Sequence, residues 1–177
     1  MYAWDIIVVG CGATGSHYIS MLSQLAINNS FIKSITLVDK DIVEEKNLRN
    51  QKFTIKDVGK SKASVLATRY AKLGIDIGYN DSFIESSHDV YNIVDNVNEN
   101  HVIIVCCVDN NDARLNISKF FREYNKKYLV YIDVGNDAET KKGQAVLGIK
   151  NKEEIISPCV DDYFNLTSEE VVEELGC

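Results

Sequence analysis

Six residues near the start of the chain, Gly10-Cys11-Gly12-Ala13-Thr14-Gly15, carry the G-x-G-x-x-G spacing of a phosphate-cradling turn. Such a turn needs glycine because a side chain would hold the backbone away from phosphates that rest on the N–H groups of a helix N-terminus. Asp39 closes a second apolar run 24 residues after Gly15 and is placed to accept hydrogen bonds from ribose hydroxyls. Taken alone, the turn and Asp39 favour NAD. The residues after Asp39 point elsewhere. The run from Val38 to Gln51 sets Asp41, Asn47, Arg49, Asn50 and Gln51 beside the turn, and Asp57 to Ala63 then opens a helix with Lys60 and Lys62. A triphosphate carries more charge than a dinucleotide pyrophosphate and needs such additional cations. Further on, Cys107-Val108-Asp109-Asn110-Asn111-Asp112-Ala113-Arg114 ends a strand with Asp109 at the edge of the sheet where ligands of open α/β folds bind. One carboxylate plus phosphate oxygens is a common Mg²⁺ ligand set, and hydride transfer has no use for it.

The elements that must hold these residues can be read from hydrophobic periodicity. Trp4 to Val9 is a short apolar run, and Thr14 to Ile27 repeats apolar residues at helical spacing. Strands are predicted at Ser34–Val38, Ile75–Gly78, His101–Val108, Tyr128–Val134 and Gln144–Ile149, and helices at Lys60–Leu73, Val90–Val97 and Asp112–Tyr124. The fully apolar run from Val102 to Val108 suits a strand buried on both faces. Strands alternating with helices imply an α/β, Rossmann-like, doubly wound and mostly parallel sheet with helices on both faces.

Composition bounds the rest. A chain of 177 residues with 45% apolar and 25% charged residues is one domain's worth of ordinary globular protein. Its net charge of −7 resides after residue 150, where Lys152 stands against eight acids, so the first 150 residues are neutral and exert no global pull on nucleic acid. No apolar run approaches the roughly 20 residues of a membrane span, and no basic leader precedes the first strand; the expected location is cytoplasmic, with neither nucleic acid nor membrane as partner. Five cysteines without a C-x-x-C pair read as reduced thiols and encode no zinc site. Cys159 and Cys177 could form a thioester or persulfide, although packing is the commoner role. Thr167 to Leu175 reads as an acidic helix, and the abrupt stop at Cys177 reads as a truncation. His17, His88 and His101 stand apart from any acidic or nucleophilic partner.

The glycine turn, the run Asp39-Lys40-Asp41-Ile42-Val43 with Asn47-Leu48-Arg49-Asn50-Gln51, the stretch Gly59-Lys60-Ser61-Lys62-Ala63 and the stretch Cys107 to Arg114 together resemble the ThiF/MoeB/HesA family, the bacterial relatives of ubiquitin-activating enzymes. Tyr131 to Asn136 followed by Gly143 to Gly148 is most similar to the ThiF-like proteins of PRTRC gene systems. The resemblance spans about Asp5 to Leu147. It implies an ATP-binding adenylation domain over 1–150, followed by an acidic tail over 151–177. It further implies an ATP- and Mg²⁺-dependent adenylyltransferase that activates the C-terminal carboxylate of a small ubiquitin-like or sulfur-carrier protein. By position, Gly10, Gly12, Ala13, Thr14 and Gly15 would cradle phosphate, Asp39 and Asp41 would flank the ribose, and Asn47, Asn50 and Gln51 would line the triphosphate. Lys62 and Arg49 would stabilise the developing charge, and Asp109 would hold Mg²⁺. Members are commonly dimers, so the resemblance also implies a homodimer.

The chain departs from the family pattern in three places: the paired C-x-x-C motifs are missing, only Met1 to Ala3 precede the first strand where many members carry an arginine-bearing helix, and the arginine after Asn47-Leu48 is displaced. The arginine of N-L-x-R-Q is replaced by Asn50, with Arg49 one place early; in a helical turn that step swings the side chain by about 100°. Two alternatives therefore stand beside the enzyme: a catalytically degenerate nucleotide-binding partner module, and an NAD-dependent oxidoreductase.

Overall fold

The computed structural model describes residues 2–137 and 142–167. Seven strands form one sheet in the order β3-β2-β1-β4-β5-β6-β7. They are β1 (Trp4–Val9), β2 (Ile32–Val38), β3 (Ile77–Asn80), β4 (His101–Cys106), β5 (Tyr128–Asp137), β6 (Lys142–Asn151) and β7 (Glu154–Ser157). The first five run parallel, and β6 and β7 add an antiparallel flank. The helices are α1 (Ala13–Ile27), α2 (Lys62–Ala71), α3 (Ser87–Asp95), α4 (Asn111–Glu123) and α5 (Val160–Tyr163). This is the expected doubly wound, Rossmann-like sheet. None of the described helices is long and apolar enough to cross a membrane.

Strand β1 shows why the middle of the sheet is so apolar. Its residues alternate faces: Ile6 and Val8 join the core under α1 and α2, while Ile7 and Val9 join the core under α3 and α4. All four are at most 4% exposed. At about 1.5–3 kcal/mol for each buried aliphatic side chain, these four contribute several kcal/mol to holding the strand that carries the glycine turn. The buried Asp5 is satisfied by the Ser34 hydroxyl at 2.5 Å and the Glu99 N–H at 2.8 Å.

Local signals fix the helix ends. Ser61 caps α2 by accepting from the Ser64 N–H at 3.1 Å, so α2 starts two residues later than periodicity predicts. Ser86 and Asp89 form a capping box, which starts α3 at Ser87 rather than Val90. Gly74, at φ +78, turns the chain out of α2, and β3 begins at Ile77 opposite Ile35.

The acidic stretch after residue 150 contains structure. Strand β7 pairs with β6, and Cys159 and Val160 are buried in the same core as Phe121 and Tyr131. Arg122 of α4 clamps Asp161 through two bonds of 2.7 Å and reaches Asp162 at 3.0 Å. The helix expected over Thr167–Leu175 lies, apart from Thr167, outside the described residues, as does Cys177.

The two faces are covered unequally. Helices α1 and α2 lie over β1, β2 and β3, while α4 and α5 cover β5 and β6 from the other side. On the α1 side of β4, β5 and β6 the row Ile103–Val130–Ile149 runs across three strands and the pair Ile132–Leu147 across two. Leu147 is 48% exposed, and the other four are half-buried.

Candidate functional site

The carboxyl ends of β1, β2 and β4 open on one cavity of about 380 Å³, at the point where the strand order reverses from β1 to β4. Its floor is the glycine turn, and the three glycines there have different reasons to exist. Gly10 sits at φ +92, and a side chain on it would press on the Cys107 carbonyl. A Cβ on Gly15 would stand 1.9 Å from the Gly10 carbonyl oxygen. These two are required by the protein's own packing, whatever the cavity holds. Gly12 is different: a Cβ there would meet nothing within 4 Å, so its bareness matters only to an occupant of the cavity.

Gly12 is also the N-cap of α1, where no side chain caps the helix and no acid lies in the first turn. Gly12, Ala13 and Thr14 all line the cavity. A 15-residue helix thus presents its positive end, without a side-chain cap, to the cavity, the arrangement that favours phosphate.

Asp39 lines the cavity at the end of β2. Its Oδ2 accepts from the Cys11 N–H at 2.6 Å and its Oδ1 from the Asp41 N–H at 2.7 Å. The carboxylate therefore braces the glycine turn and keeps its remaining lone pairs for a ligand. Burial raises its pKa, against the pull of those two N–H groups. Lys62, at the start of α2, is 7% exposed and reaches the cavity with its ammonium 2.8 Å from Asp41 Oδ2. The Lys62 N–H also donates to the Asp41 carbonyl at 2.9 Å, so both atoms that aim this lysine come from one residue.

Asn50 and Gln51 line the cavity, and Gln51 Oε1 is buried without a hydrogen-bond partner. An orphaned buried amide atom in a cavity wall is the mark of a polar occupant. Asp109, just past β4, is exposed and lines the same cavity, where one carboxylate beside a phosphate seat fits Mg²⁺.

Three sequence candidates lie outside the lining. Gly15 is buried beneath the turn and serves packing. Asn47 is buried and accepts the Glu44 N–H at 2.8 Å, capping the 3-10 turn Glu45–Arg49. Arg49 is exposed and lies outside the cavity lining, whereas its neighbour Asn50 is part of it.

Two parts of the wall escape sequence reasoning. The loop after β3 supplies Ser82, Phe83 and Ile84; only the rule that ligands sit at strand carboxyl ends could flag it. Arg114 also lines the cavity, and its place at the end of the Cys107–Arg114 stretch gives it no role by spacing alone. Its Nη2 donates to the Val108 carbonyl at 2.8 Å and its Nε lies 3.2 Å from the fully buried Asp133, so it anchors the segment that presents Asp109.

Among the described residues the thiols are poor nucleophiles. Burial pushes Cys107 and Cys159 up to about 12 and Cys11 well above the usual thiol range. Cys159 is 1% exposed, with its Sγ donating to Asp161 at 3.2 Å, which fits a packing role.

Comparison with known proteins adds to this geometry. The ThiF family pattern matches residues 2–171. Ubiquitin-activating enzyme E1 1 of Triticum aestivum is 32% identical over 120 residues, 58% of this chain and 11% of that protein. The NEDD8-activating enzyme E1 catalytic subunit of Saccharomyces cerevisiae is 39% identical over 75 residues, 40% of this chain and 24% of that one. Among solved structures, E. coli MccB with AMPCPP and MccA superposes with a TM-score of 0.62 at 21% identity, covering 87% of this chain and 41% of that one. E. coli tRNA N6-threonylcarbamoyladenosine dehydratase, TcdA, in complex with ATP gives 0.57 at 26% identity, covering 75% and 56%. The chain therefore spans only part of each relative's length.

Proposed function

This chain belongs to the ThiF family, and from that premise we propose that it is an ATP- and Mg²⁺-dependent adenylyltransferase that activates the C-terminal carboxylate of a small ubiquitin-like or sulfur-carrier protein. The observation that carries the reading is the α1 N-terminus without a side-chain cap at Gly12, which shares one cavity with Lys62, Asp39 and Asp109.

The carrier's carboxylate oxygen attacks the α-phosphorus, the bond to the bridging oxygen breaks, and pyrophosphate leaves. Gly12, Ala13 and Thr14 present the helix end to the phosphates, Asp39 accepts from the sugar, and Asn50 and Gln51 contact the triphosphate. Lys62 leaves or shares Asp41 to offset charge growing on the α-phosphate. Asp109 would hold Mg²⁺, which when bound would offset phosphate charge. ATP–pyrophosphate exchange with a candidate carrier tests the reading; tight ATP binding without exchange with any carrier would sink it.

A second reading, a nucleotide-binding partner module without catalysis, is favoured by one observation: the family's arginine position is Asn50, and Arg49 lies outside the cavity lining. Asn50→Arg places a cation in the cavity wall. If the missing charge is what limits the enzyme, exchange rises by about tenfold or more, equivalent to about 1.4 kcal/mol of barrier. A measurable rate left unchanged favours the enzyme as it stands, with Lys62 sufficient, and no exchange from either protein favours the partner module.

We also propose that a second copy of the chain covers the bare rows of β4, β5 and β6. No formal charge lies on Ile103, Val130, Ile132, Leu147 or Ile149, and none lies anywhere between Ile6 and Ile32, the stretch that includes α1. Two copies of a chain carrying −7 can meet there without burying an ion. Sedimentation is expected to give a dimer that Leu147→Asp converts to monomer; a monomeric wild type overturns this.

A further inference from the structure

The chemistry assigned to the cavity leaves one buried carboxylate without a role. Asp133 of β5, level with Cys106 at the end of β4, is 0% exposed. Its Oδ2 accepts from Arg114 Nε at 3.2 Å and from the Tyr131 hydroxyl at 3.2 Å, while its Oδ1 is buried with no partner among the described residues. A bare buried acceptor costs free energy, so a fold that keeps one has a reason for it.

The reason lies in how Arg114 divides its donors. A guanidinium pairs best with a carboxylate through two parallel bonds, one to each oxygen. Arg114 gives Asp133 one bond through Nε, and its Nη2 goes instead to the Val108 carbonyl at 2.8 Å. Turning the guanidinium to pair side by side would satisfy Oδ1 and release Val108. The donor that Oδ1 lacks is the one holding the backbone.

Stability does not call for this arrangement. With the Arg114 side chain 13% and the Asp133 side chain 1% exposed, an ion pair this deep is no more stabilising than a well-packed apolar pair of the same volume. What it supplies is a fixed backbone next to Asp109. Behind Val108, the Cys107 N–H donates to the Val9 carbonyl at 2.8 Å. Ahead of it, Asn110 is fastened as the N-cap of α4, its side chain accepting the Ala113 N–H at 2.8 Å. Asp109 lies exposed between these ties, so its place at the cavity depends on them.

We propose that Asp133 is a positioning residue of the metal site: acting through Arg114 and the Val108 carbonyl, it sets where Asp109 meets Mg²⁺. This rests on the reading of Asp109 as the residue that would hold the ion. The charge of Asp133 matters as well as its shape, because a carboxylate grips the guanidinium about twice as strongly as a neutral acceptor does.

Calorimetry with ATP, with and without Mg²⁺, tests it alongside thermal melting on the wild type, Asp109→Ala, Asp133→Asn and the double variant Arg114→Met with Asp133→Val. The readout is the gain in ATP affinity that Mg²⁺ brings. Asp133→Asn is expected to cut that gain by about tenfold, the usual loss when a group behind a metal ligand is changed. Its affinity for metal-free ATP is expected to equal or exceed that of the wild type, since a negative charge beside Arg114 is gone. A merely structural role would lower both affinities together. The double variant replaces the ion pair by an apolar pair of similar volume, so it is expected to melt close to the wild type and still lose the Mg²⁺ gain. Either variant keeping the full gain, or Asp133→Asn losing both affinities in step, overturns the positioning role alone. A wild type whose ATP binding ignores Mg²⁺, or an Asp109→Ala that keeps the gain, overturns the reading of Asp109 with it.

Discussion

Asp109→Ala is expected to abolish Mg²⁺-dependent turnover while leaving the melting temperature where it is. Asp109 is exposed just past β4 and faces the cavity. A solvent-facing residue of this kind contributes within about 0.5 kcal/mol to stability. Its value lies in the metal it would hold. Stabilisation of transition-state charge by such an ion amounts to several kcal/mol, and each 1.36 kcal/mol is a factor of ten in rate. The exchange rate should therefore fall by about 10² to 10⁴ and no longer respond to added Mg²⁺. Thermal melting alongside the exchange assay separates the two roles: a drop of many degrees would mean that Asp109 supports the fold, and an unchanged rate would remove the metal from its neighbourhood.

The second large effect comes from comparing two glycines three residues apart. Gly15→Ala drives a methyl group to 1.9 Å from the Gly10 carbonyl oxygen and 2.8 Å from its carbon, both atoms of a turn held from the far side by Cys107. Backbone cannot yield there as a flexible side chain would, so the loss should reach or exceed about 3 kcal/mol, the upper range for overpacking. For a chain of this size that is a fall of roughly 6–12 °C in Tm. Gly12→Ala meets no protein atom, and its φ of −71 lies outside the left-handed region that demands glycine. It should melt like the wild type and bind ATP much more weakly, because its methyl occupies the space through which phosphates approach the helix end. Differential scanning calorimetry and ATP titration of the two variants check this. A Gly12→Ala variant that keeps full ATP affinity would mean that the phosphates seat elsewhere.

The same pair shows what the linear chain can and cannot disclose. The spacing of the glycines is legible because it is local: strand, turn and helix lie within 25 residues, and each residue type is dictated by backbone contacts inside that unit. Asp39, Lys62 and Asp109 are legible for a related reason, since each ends a strand or opens a helix at the sheet's ligand-binding edge. Asn47 is not. Its amide reads as a ligand contact in the sequence, whereas in the fold it closes a 3-10 turn on Glu44; buried capping and ligand binding draw on the same residue type.

Strand β7 is hidden for another reason. It is four residues long, runs along the sheet's edge and exposes Ile155 and Ile156, so no alternation marks it. The turn that leads into it uses Lys152 at φ 54 in place of the Asn-Gly pair that usually announces a hairpin. The bare rows of β4 to β6 are equally illegible. A half-covered strand and a fully covered one have the same apolar sequence, and only the packing of α1 and α2 over the far half of the sheet separates them.

Two contacts far apart in the sequence bear on how the protein is handled. Tyr2 stacks on His101 at a ring separation of 4.4 Å, at the edge of the sheet where the parallel strands begin and opposite the nucleotide cavity. Thr167 instead sits against Asn111, two positions beyond Asp109. A fluorophore attached at Tyr2 therefore sits a sheet's length from the chemistry, whereas one attached at Thr167 sits at the rim of the binding cleft and would crowd any protein arriving there.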